Sequence, residues 1–204
     1  MNPIRKYLAL GDSYTIGEAV AEEQNFPNQL GRLLRAQGNP VDTLRIIAKT
    51  GWTTDELIEA IEKAERESPL YVEQDLVTLL IGVNNQYRGR PIDEFAEQFR
   101  DLLQRAIRYA SNDPARVRVL SIPDWGVTPY AEGRDRTQIA REIDAFNDRK
   151  QQICSAMGVT YIFITDLTRE ARDRSELLTN DGLHPSGLDY QRWAQRLWMT
   201  LKAS

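Results

Sequence analysis

The feature that most constrains the fold is a fivefold alternation of short apolar runs with longer amphipathic stretches. Runs rich in Val, Ile and Leu fall at residues 4–10, 44–48, 76–81, 117–122 and 159–164. Apolar runs of this length are typical of strands buried on both faces of a parallel sheet. The intervening stretches carry apolar residues three or four positions apart, which predicts helices. The clearest examples are Leu57, Ile58, Ile61 and Ala64, and then Phe95, Phe99, Leu102, Leu103 and Ile107.

This alternation predicts one architecture. Strand–helix–strand units cross over with a right hand and cover a sheet on both faces. We therefore expect an α/β fold, a three-layer α/β/α sandwich with a five-stranded parallel sheet. The 204 residues contain no repeat or long linker, and domains usually have roughly 100 to 200 residues, so we expect a single domain over 1–204.

Composition removes several classes of function. The net charge of −4 argues against binding of a nucleic-acid backbone, which requires an excess of Lys and Arg. No apolar run approaches the roughly 20 residues that cross a bilayer. The lone Cys154 cannot form an intramolecular disulfide, and residues 1–7 lead directly into the first strand, without room for a signal peptide. We expect a cytoplasmic protein without a membrane span.

The unusual polar residues come directly after the apolar runs. Ligands of such sheets bind at the carboxyl ends of the strands, and residues 11–13, 50–52 and 82–85 follow the first three runs. The turn-rich segment 123–130 and the charged residues 132–136 follow the fourth, and we expect them to form a mobile rim. The charged stretch 169–175 is interpreted as a solvated segment.

Ser13, Asp181 and His184 have the residue types of a nucleophile, an orienting acid and a base. His184 is the only histidine in the chain and follows Asp181 by three residues, so one turn brings the carboxylate to the imidazole. An imidazole oriented by a carboxylate activates a serine hydroxyl for attack. The alternatives are structural. Ser13 or Thr15 could serve only as a helix cap, and Asp181 and His184 only as loop residues before a last helix capped by Ser186 with Asp189.

Attack by a serine also requires donors for the oxygen that becomes negative. The candidates are the Ser13 N–H, the Gly51 N–H and the Asn84 side-chain amide, each at a strand end. Gly51 and Asn84 also have an ordinary explanation as turn and loop residues that adopt left-handed conformations.

Together the four blocks around these residues resemble the SGNH (GDSL) hydrolase superfamily. The matching segments are GDSYTIG with Ser13, AKTGWTT with Gly51, GVNNQ with Asn84, and DGLHP with His184. The resemblance implies a flavodoxin-like sheet and a catalytic triad of Ser13, His184 and Asp181. It also implies an oxyanion hole completed by Gly51 and Asn84. Tyr14 and Asn85 depart from the family, where leucine and aspartate are usual.

We therefore predict a serine esterase that acts on small ester substrates with short acyl groups such as acetyl, with neither a cofactor nor a metal ion. The loops carry aromatic residues that either line the cleft or pack against the sheet edge: Tyr14, Trp52, Tyr87, Trp125 and Tyr130. A carbohydrate O-deacetylase, a thioesterase, a lysophospholipase and an inactive binding module remain alternatives. A metal-dependent esterase is disfavoured because a single histidine leaves too few ligands.

Overall fold

The computed structural model describes residues 3–67 and 73–202. Their centre is a five-stranded, fully parallel sheet with strand order β2-β1-β3-β4-β5, as predicted. The strands are β1 (Lys6–Asp12), β2 (Thr43–Lys49), β3 (Leu76–Leu80), β4 (Val117–Leu120) and β5 (Thr160–Ile162).

Helices cover both faces of the sheet, which completes the predicted three layers. They are α1 (Ser13–Ile16), α2 (Phe26–Ala36), α3 (Thr54–Glu67), α4 (Val83–Tyr87), α5 (Ile92–Tyr109), α6 (Arg136–Ala156), α7 (Thr165–Arg169) and α8 (Gly187–Lys202). α2 packs against α8, while α3, α5 and α6 pack in succession. The apolar positions that predicted α3 and α5 face the core, with Leu57, Ile61, Phe95 and Phe99 fully buried.

β4 and β5 end earlier than the apolar runs, because buried polar side chains replace the strand ladder. The Ile122 N–H donates to Asn147 Oδ1 at 2.8 Å, and the Ile164 N–H donates to Ser121 Oγ at 2.7 Å. These groups satisfy backbone atoms that water cannot reach. The apolar runs therefore extend beyond the strands, and their last residues bond through the main chain to the side chains of Asn147 and Ser121.

The expectation of a mobile rim at 123–130 is wrong for most of the segment. Residues 121–128 are buried, and only Pro129 and Tyr130 of this region are exposed. The buried Asp124 accepts a hydrogen bond from Arg169 Nε at 2.8 Å, and its N–H donates to Thr168 Oγ1 at 3.1 Å. Arg169, interpreted as part of a solvated stretch, thus anchors the rim. The charged residues 132–136 are exposed.

The strand order places the functional loops at one point of the sheet. β1 lies between β2 and β3, so the chain crosses the sheet in opposite directions on leaving β1 and β2. At such a switch point the loops after adjacent strands diverge and leave a crevice at the carboxyl edge.

Across the described residues, no helix combines the length and apolar character that a bilayer crossing needs.

Candidate active site

Ser13 lies where β1 meets α1. Asp12 is the N-cap of α1, and its carboxylate accepts the Tyr14 N–H at 3.0 Å. The capping role considered for Ser13 therefore belongs to Asp12. Gly11 is needed just before this turn, because a Cβ there would lie 2.3 Å from the Leu80 carbonyl oxygen.

A continuous hydrogen-bond chain joins Ser13, His184 and Asp181. His184 Nε2 lies 3.0 Å from Ser13 Oγ, and Nδ1 lies 2.7 Å from Asp181 Oδ2. Because an ionised carboxylate can only accept, Nδ1 donates to Asp181, and Nε2 of the neutral ring accepts from the Ser13 hydroxyl. The structure thus brings these three predicted residues together in the required order.

Four hydrogen bonds converge on the Asp181 carboxylate. Oδ2 accepts from His184 Nδ1, while Oδ1 accepts from the Thr179 hydroxyl at 2.7 Å and from the Leu183 and His184 N–H groups at 2.8 and 2.9 Å. Partial burial opposes ionisation, but the bonds from His184 and Thr179 outweigh it and lower the pKa of Asp181 to about 2. The carboxylate is therefore charged at neutral pH.

The loop that carries His184 is held by its main chain. The His184 carbonyl accepts the Thr179 N–H at 2.9 Å. In the alternative considered from the sequence, Ser186 and Asp189 cap α8 as a pair, whereas in the structure their side chains have the following partners. The Ser186 hydroxyl donates to a main-chain carbonyl at 2.7 Å, and Asp189 accepts from Trp193 Nε1 at 3.0 Å. Asp189 therefore bonds to the buried Trp193 indole one turn further along the same helix.

Gly51 and Asn84 line the same cleft as Ser13. Gly51 follows β2 with a φ of +83°, in the left-handed region that favours glycine. Asn84, on α4, donates from Nδ2 to the Trp52 carbonyl at 2.9 Å, which ties α4 to the Gly51 loop. The amide nitrogen carries two N–H groups, so one bond leaves a second donor.

Asn85 is fully buried and joins α4 to the start of α3. Its Oδ1 accepts the Thr54 N–H at 3.1 Å, and its Nδ2 donates to Thr54 Oγ1 at 2.8 Å. The Thr54 hydroxyl then donates to Gln98. The amide uses both its acceptor and its donor here, so the departure from aspartate leaves this loop firmly anchored without a buried charge.

The cleft beside Ser13 has a volume of about 120 Å³ and a mostly apolar lining. Four of the five aromatic residues considered from the sequence line it: Tyr14, Tyr87, Trp125 and Tyr130. Trp52 does not, and packs against the core. Tyr87 and Tyr130 are 40% and 48% exposed, and their hydroxyls lie 3.0 Å apart.

Two residues that support the cleft were missed by the sequence analysis. Arg88 NH2 donates to the Gly51 carbonyl at 2.6 Å, and Gln86 Oε1 accepts the Trp125 Nε1–H at 2.7 Å. Both lie on or just after α4, next to the predicted Asn84. No sequence signal identifies them, because their partners come from loops distant in the chain.

A buried lysine lies behind the site. Lys150 Nζ donates to the Ile81 carbonyl at 3.0 Å and to the Leu120 carbonyl at 2.8 Å. Ile81 directly follows β3, and Leu120 is the last residue of β4. Burial lowers the pKa of Lys150 to about 7, and burial raises the pKa of the Asp12 carboxyl to about 7. The periodicity of α6 gave no indication of an ammonium group in the core.

The arrangement can move a proton from a hydroxyl to an imidazole beside a small apolar cleft. In residues 3–67 and 73–202, no group of three or more His, Cys, Asp or Glu side chains is placed to hold a metal ion. Ser13, His184 and Asp181 can supply a nucleophile, a base and an orienting acid.

Solved structures share this fold over nearly the whole chain. TesA aligns with a TM-score of 0.72 at 20% identity, covering 98% of this chain and 99% of that one. A lipase/acylhydrolase from Enterococcus faecalis aligns at 0.68 and 21%, covering 98% and 96%. The acetyl xylan esterase AlAXEase aligns at 0.70 and 17%, covering 95% and 98%.

At the level of sequence, no curated protein matches the chain significantly. A model of the GDSL-like lipase/acylhydrolase family matches residues 9–192, which include Ser13, Gly51, Asn84, Asp181 and His184. The match covers most of the 204 residues, and the described fold agrees with the solved structures. The chain therefore belongs to the GDSL-like lipase/acylhydrolase family.

Proposed function

We propose that the protein is a carboxylic ester hydrolase that works through a Ser13, His184 and Asp181 triad. The observation that carries the proposal is the hydrogen-bond chain from Ser13 Oγ through both imidazole nitrogens to Asp181, at 3.0 and 2.7 Å. A serine activated by an oriented imidazole is the standard apparatus for acyl transfer. The family membership supports the same reaction class.

In this mechanism Ser13 Oγ attacks the ester carbonyl carbon while His184 Nε2 takes the hydroxyl proton. Asp181 stabilises the imidazolium, and the carbonyl electrons move onto oxygen. The Ser13 N–H, the Gly51 N–H and the Asn84 amide form the proposed oxyanion hole, which supplies donors to that charge. Collapse breaks the bond to the alcohol, which leaves with the proton from His184. Water, deprotonated by His184, then attacks the acyl carbon; the bond to Ser13 Oγ breaks, His184 returns the proton to Ser13, and the acid is released.

We propose a short acyl group as the substrate preference. The cleft volume of about 120 Å³ leaves room for a few carbon atoms rather than a long chain. Nitrophenyl esters of increasing acyl length test this directly. We expect the highest kcat/KM for acetate and a steady fall with length, and activity that rises toward long chains would contradict the preference.

A carbohydrate O-deacetylase is the second candidate, favoured by the two exposed tyrosines, Tyr87 and Tyr130, beside the cleft. Flat aromatic surfaces suit the apolar faces of sugar rings. The solved structures with this fold include two acetyl xylan esterases. Release of acetate from acetylated sugars, compared with nitrophenyl acetate, separates the two candidates.

The decisive test of the triad is labelling with a fluorophosphonate probe. We expect wild-type protein to be labelled at Ser13, and Ser13→Ala and His184→Ala to remain essentially unlabelled. Thermal unfolding of each variant serves as the control for folding. Equal labelling of all three proteins would exclude the proposed mechanism.

We also propose a reducing, cytoplasmic location, on the evidence of Cys154, which is unpaired and buried. Fractionation of cells of the source organism tests this proposal. Recovery of the protein outside the cytoplasm would contradict it.

A further inference from the structure

Tyr14 occupies the position directly after Ser13, where the family usually has leucine. Its side chain is 4% exposed, and its ring centroid lies 5.0 Å from the centroid of the His184 imidazole, with the planes tilted by 51°. The Tyr14 N–H is also held by the Asp12 carboxylate at 3.0 Å. The tyrosine is therefore anchored at its main chain and in contact with the imidazole through its ring.

The same tyrosine ring also contacts a rigid part of the core. Tyr14 and Trp193 have ring centroids 6.5 Å apart and planes 24° from parallel. Trp193 is fully buried, its Nε1 donates to Asp189 at 3.0 Å, and the ring of Tyr190 packs on it edge-on at 5.1 Å. Trp193, Tyr14 and His184 thus form a row of three rings in contact.

We propose that Tyr14 is a positioning residue that holds the His184 imidazole in the orientation that accepts the Ser13 proton; this inference rests on the proposed hydrolase function. Asp181 accepts a hydrogen bond from the imidazole at Nδ1, and Tyr14 contacts the same ring from its side. The Tyr14 ring, itself in contact with Trp193, opposes rotation of the imidazole away from Ser13. A leucine offers a smaller and more flexible surface, with no ring to stack.

A defect in positioning has a characteristic kinetic signature. Tyr14 also lines the cleft, but the contact of its ring with His184 acts on the base. Loss of this contact therefore lowers the rate of the chemical step more than it weakens substrate binding. A general loss of stability has no such selectivity. The split between kcat and KM, together with the reactivity of Ser13, therefore separates positioning from packing.

The test compares Tyr14→Leu, Tyr14→Met and Tyr14→Phe in the full-length protein. We expect kcat on nitrophenyl acetate and the rate constant for fluorophosphonate labelling each to fall about tenfold in the Leu and Met variants. KM is expected to stay within about twofold. Tyr14→Phe keeps the ring and is expected to restore most of the lost rate.

Phe99→Leu is the matched control. Phe99 is also a fully buried aromatic residue, but it stacks on Phe95 at 5.7 Å, lies 5.3 Å from Lys150 Nζ and does not line the cleft. We expect this variant to lower the Tm while kcat stays at the wild-type level. If it lowered kcat as much as Tyr14→Leu did at a similar loss of Tm, the effect would be one of stability, and the inference would be wrong.

Other outcomes also contradict the inference. Unchanged kcat in Tyr14→Leu and Tyr14→Met, or equal losses in Tyr14→Phe and Tyr14→Leu, would show that the ring is not needed. Both results leave the proposed function intact, since wild-type protein is active in them. A wild-type protein that neither reacts with the probe nor hydrolyses the ester would overturn the proposed function, and this inference with it.

Discussion

At the scale of single residues, the contacts of Asp181 explain how one short loop carries both a carboxylate and an imidazole. Oδ1 is occupied by donors from Thr179, Leu183 and His184, which leaves Oδ2 directed at Nδ1. The carboxylate thus organises the loop with one oxygen and orients the ring with the other. Its two roles are separable by substitution.

Asp181→Asn is expected to lower kcat by about 10³-fold or more. An amide that donates to Nδ1 leaves the imidazole proton on Nε2, and a protonated Nε2 cannot accept a hydrogen bond from Ser13. The measurement is the hydrolysis of nitrophenyl acetate at neutral pH. Thr179→Val is the control, since it removes a neighbouring donor to Asp181 but keeps the carboxylate. A loss of less than tenfold in Asp181→Asn would argue against its role in orienting His184.

Gly51→Ala is expected to lower both activity and stability. Its φ of +83° strains any residue with a Cβ by about 1–2 kcal/mol, although the added atom would meet only Arg88 NH2 at 3.5 Å. Gly38→Ala is a close control, with a φ of +84° and open space around its Cβ position. We expect similar losses in denaturant stability and a loss of kcat for Gly51→Ala alone. Equal kcat in both variants would exclude Gly51 from the proposed oxyanion hole.

At the scale of elements, α4 connects the separate parts of the cleft. Asn84 bonds to the Trp52 carbonyl, Asn85 to Thr54, and Gln86 to Trp125. Three successive side chains of one short helix therefore bind the loop after β2 and the loop after β4. A helix of only five residues is too short to be stable alone, so these tertiary bonds hold it in place.

Arg88→Gln is expected to lower kcat about three- to tenfold, because Arg88 holds the Gly51 carbonyl and pairs with Glu56 at 3.3 Å. Arg108→Gln is the control, since Arg108 is also half-exposed and pairs with Glu65 at 3.4 Å. Exposed ion pairs contribute about 0–1 kcal/mol, so neither variant should change stability much. A similar kcat for both variants would show that Arg88 does not position the Gly51 loop.

At the scale of the whole molecule, the buried groups behind the sheet edge make stability depend on pH. Burial shifts the pKa of Lys150 from 10.5 to about 7 on folding. Between these two values the unfolded chain binds one more proton at Lys150 than the folded chain, so the contribution of Lys150 to the free energy of unfolding rises with pH across this window. Burial raises the pKa of Cys154 to about 12, and above about pH 9 this thiol contributes in the opposite direction. Below about pH 7 this rise is absent.

Lys150→Met is expected to flatten that rise, because the variant has no amine to titrate. The measurement is denaturant unfolding at several pH values between 7 and 10.5. Lys63→Met is the control, since Lys63 is 71% exposed and pairs only loosely with Glu67 at 3.9 Å. If stability changed with pH as steeply in Lys150→Met as in the wild type, Lys150 would have the same pKa in the folded and the unfolded chain.

Much of the molecule could be predicted because the signals were local or periodic. The apolar runs located five strands within a few residues, and Ser13, Gly51 and Asn84 followed strands whose carboxyl ends meet at one edge. The boundaries of β4 and β5 could not be predicted, since Ser121 and Asn147 end the ladder from positions distant in the chain. The single-domain organisation stays a prediction.

The sequence by itself determined the class of fold, left His184 as the only imidazole for the proposed base, and limited the residues available for the proposed hydrolysis. Periodicity, strand-end positions and a single imidazole are properties of the linear chain. Only the tertiary structure decided that Tyr14 contacts His184, that Arg88 holds Gly51 and that Lys150 lies in the core. These contacts join segments tens of residues apart, and packing in three dimensions alone selects which distant side chains meet.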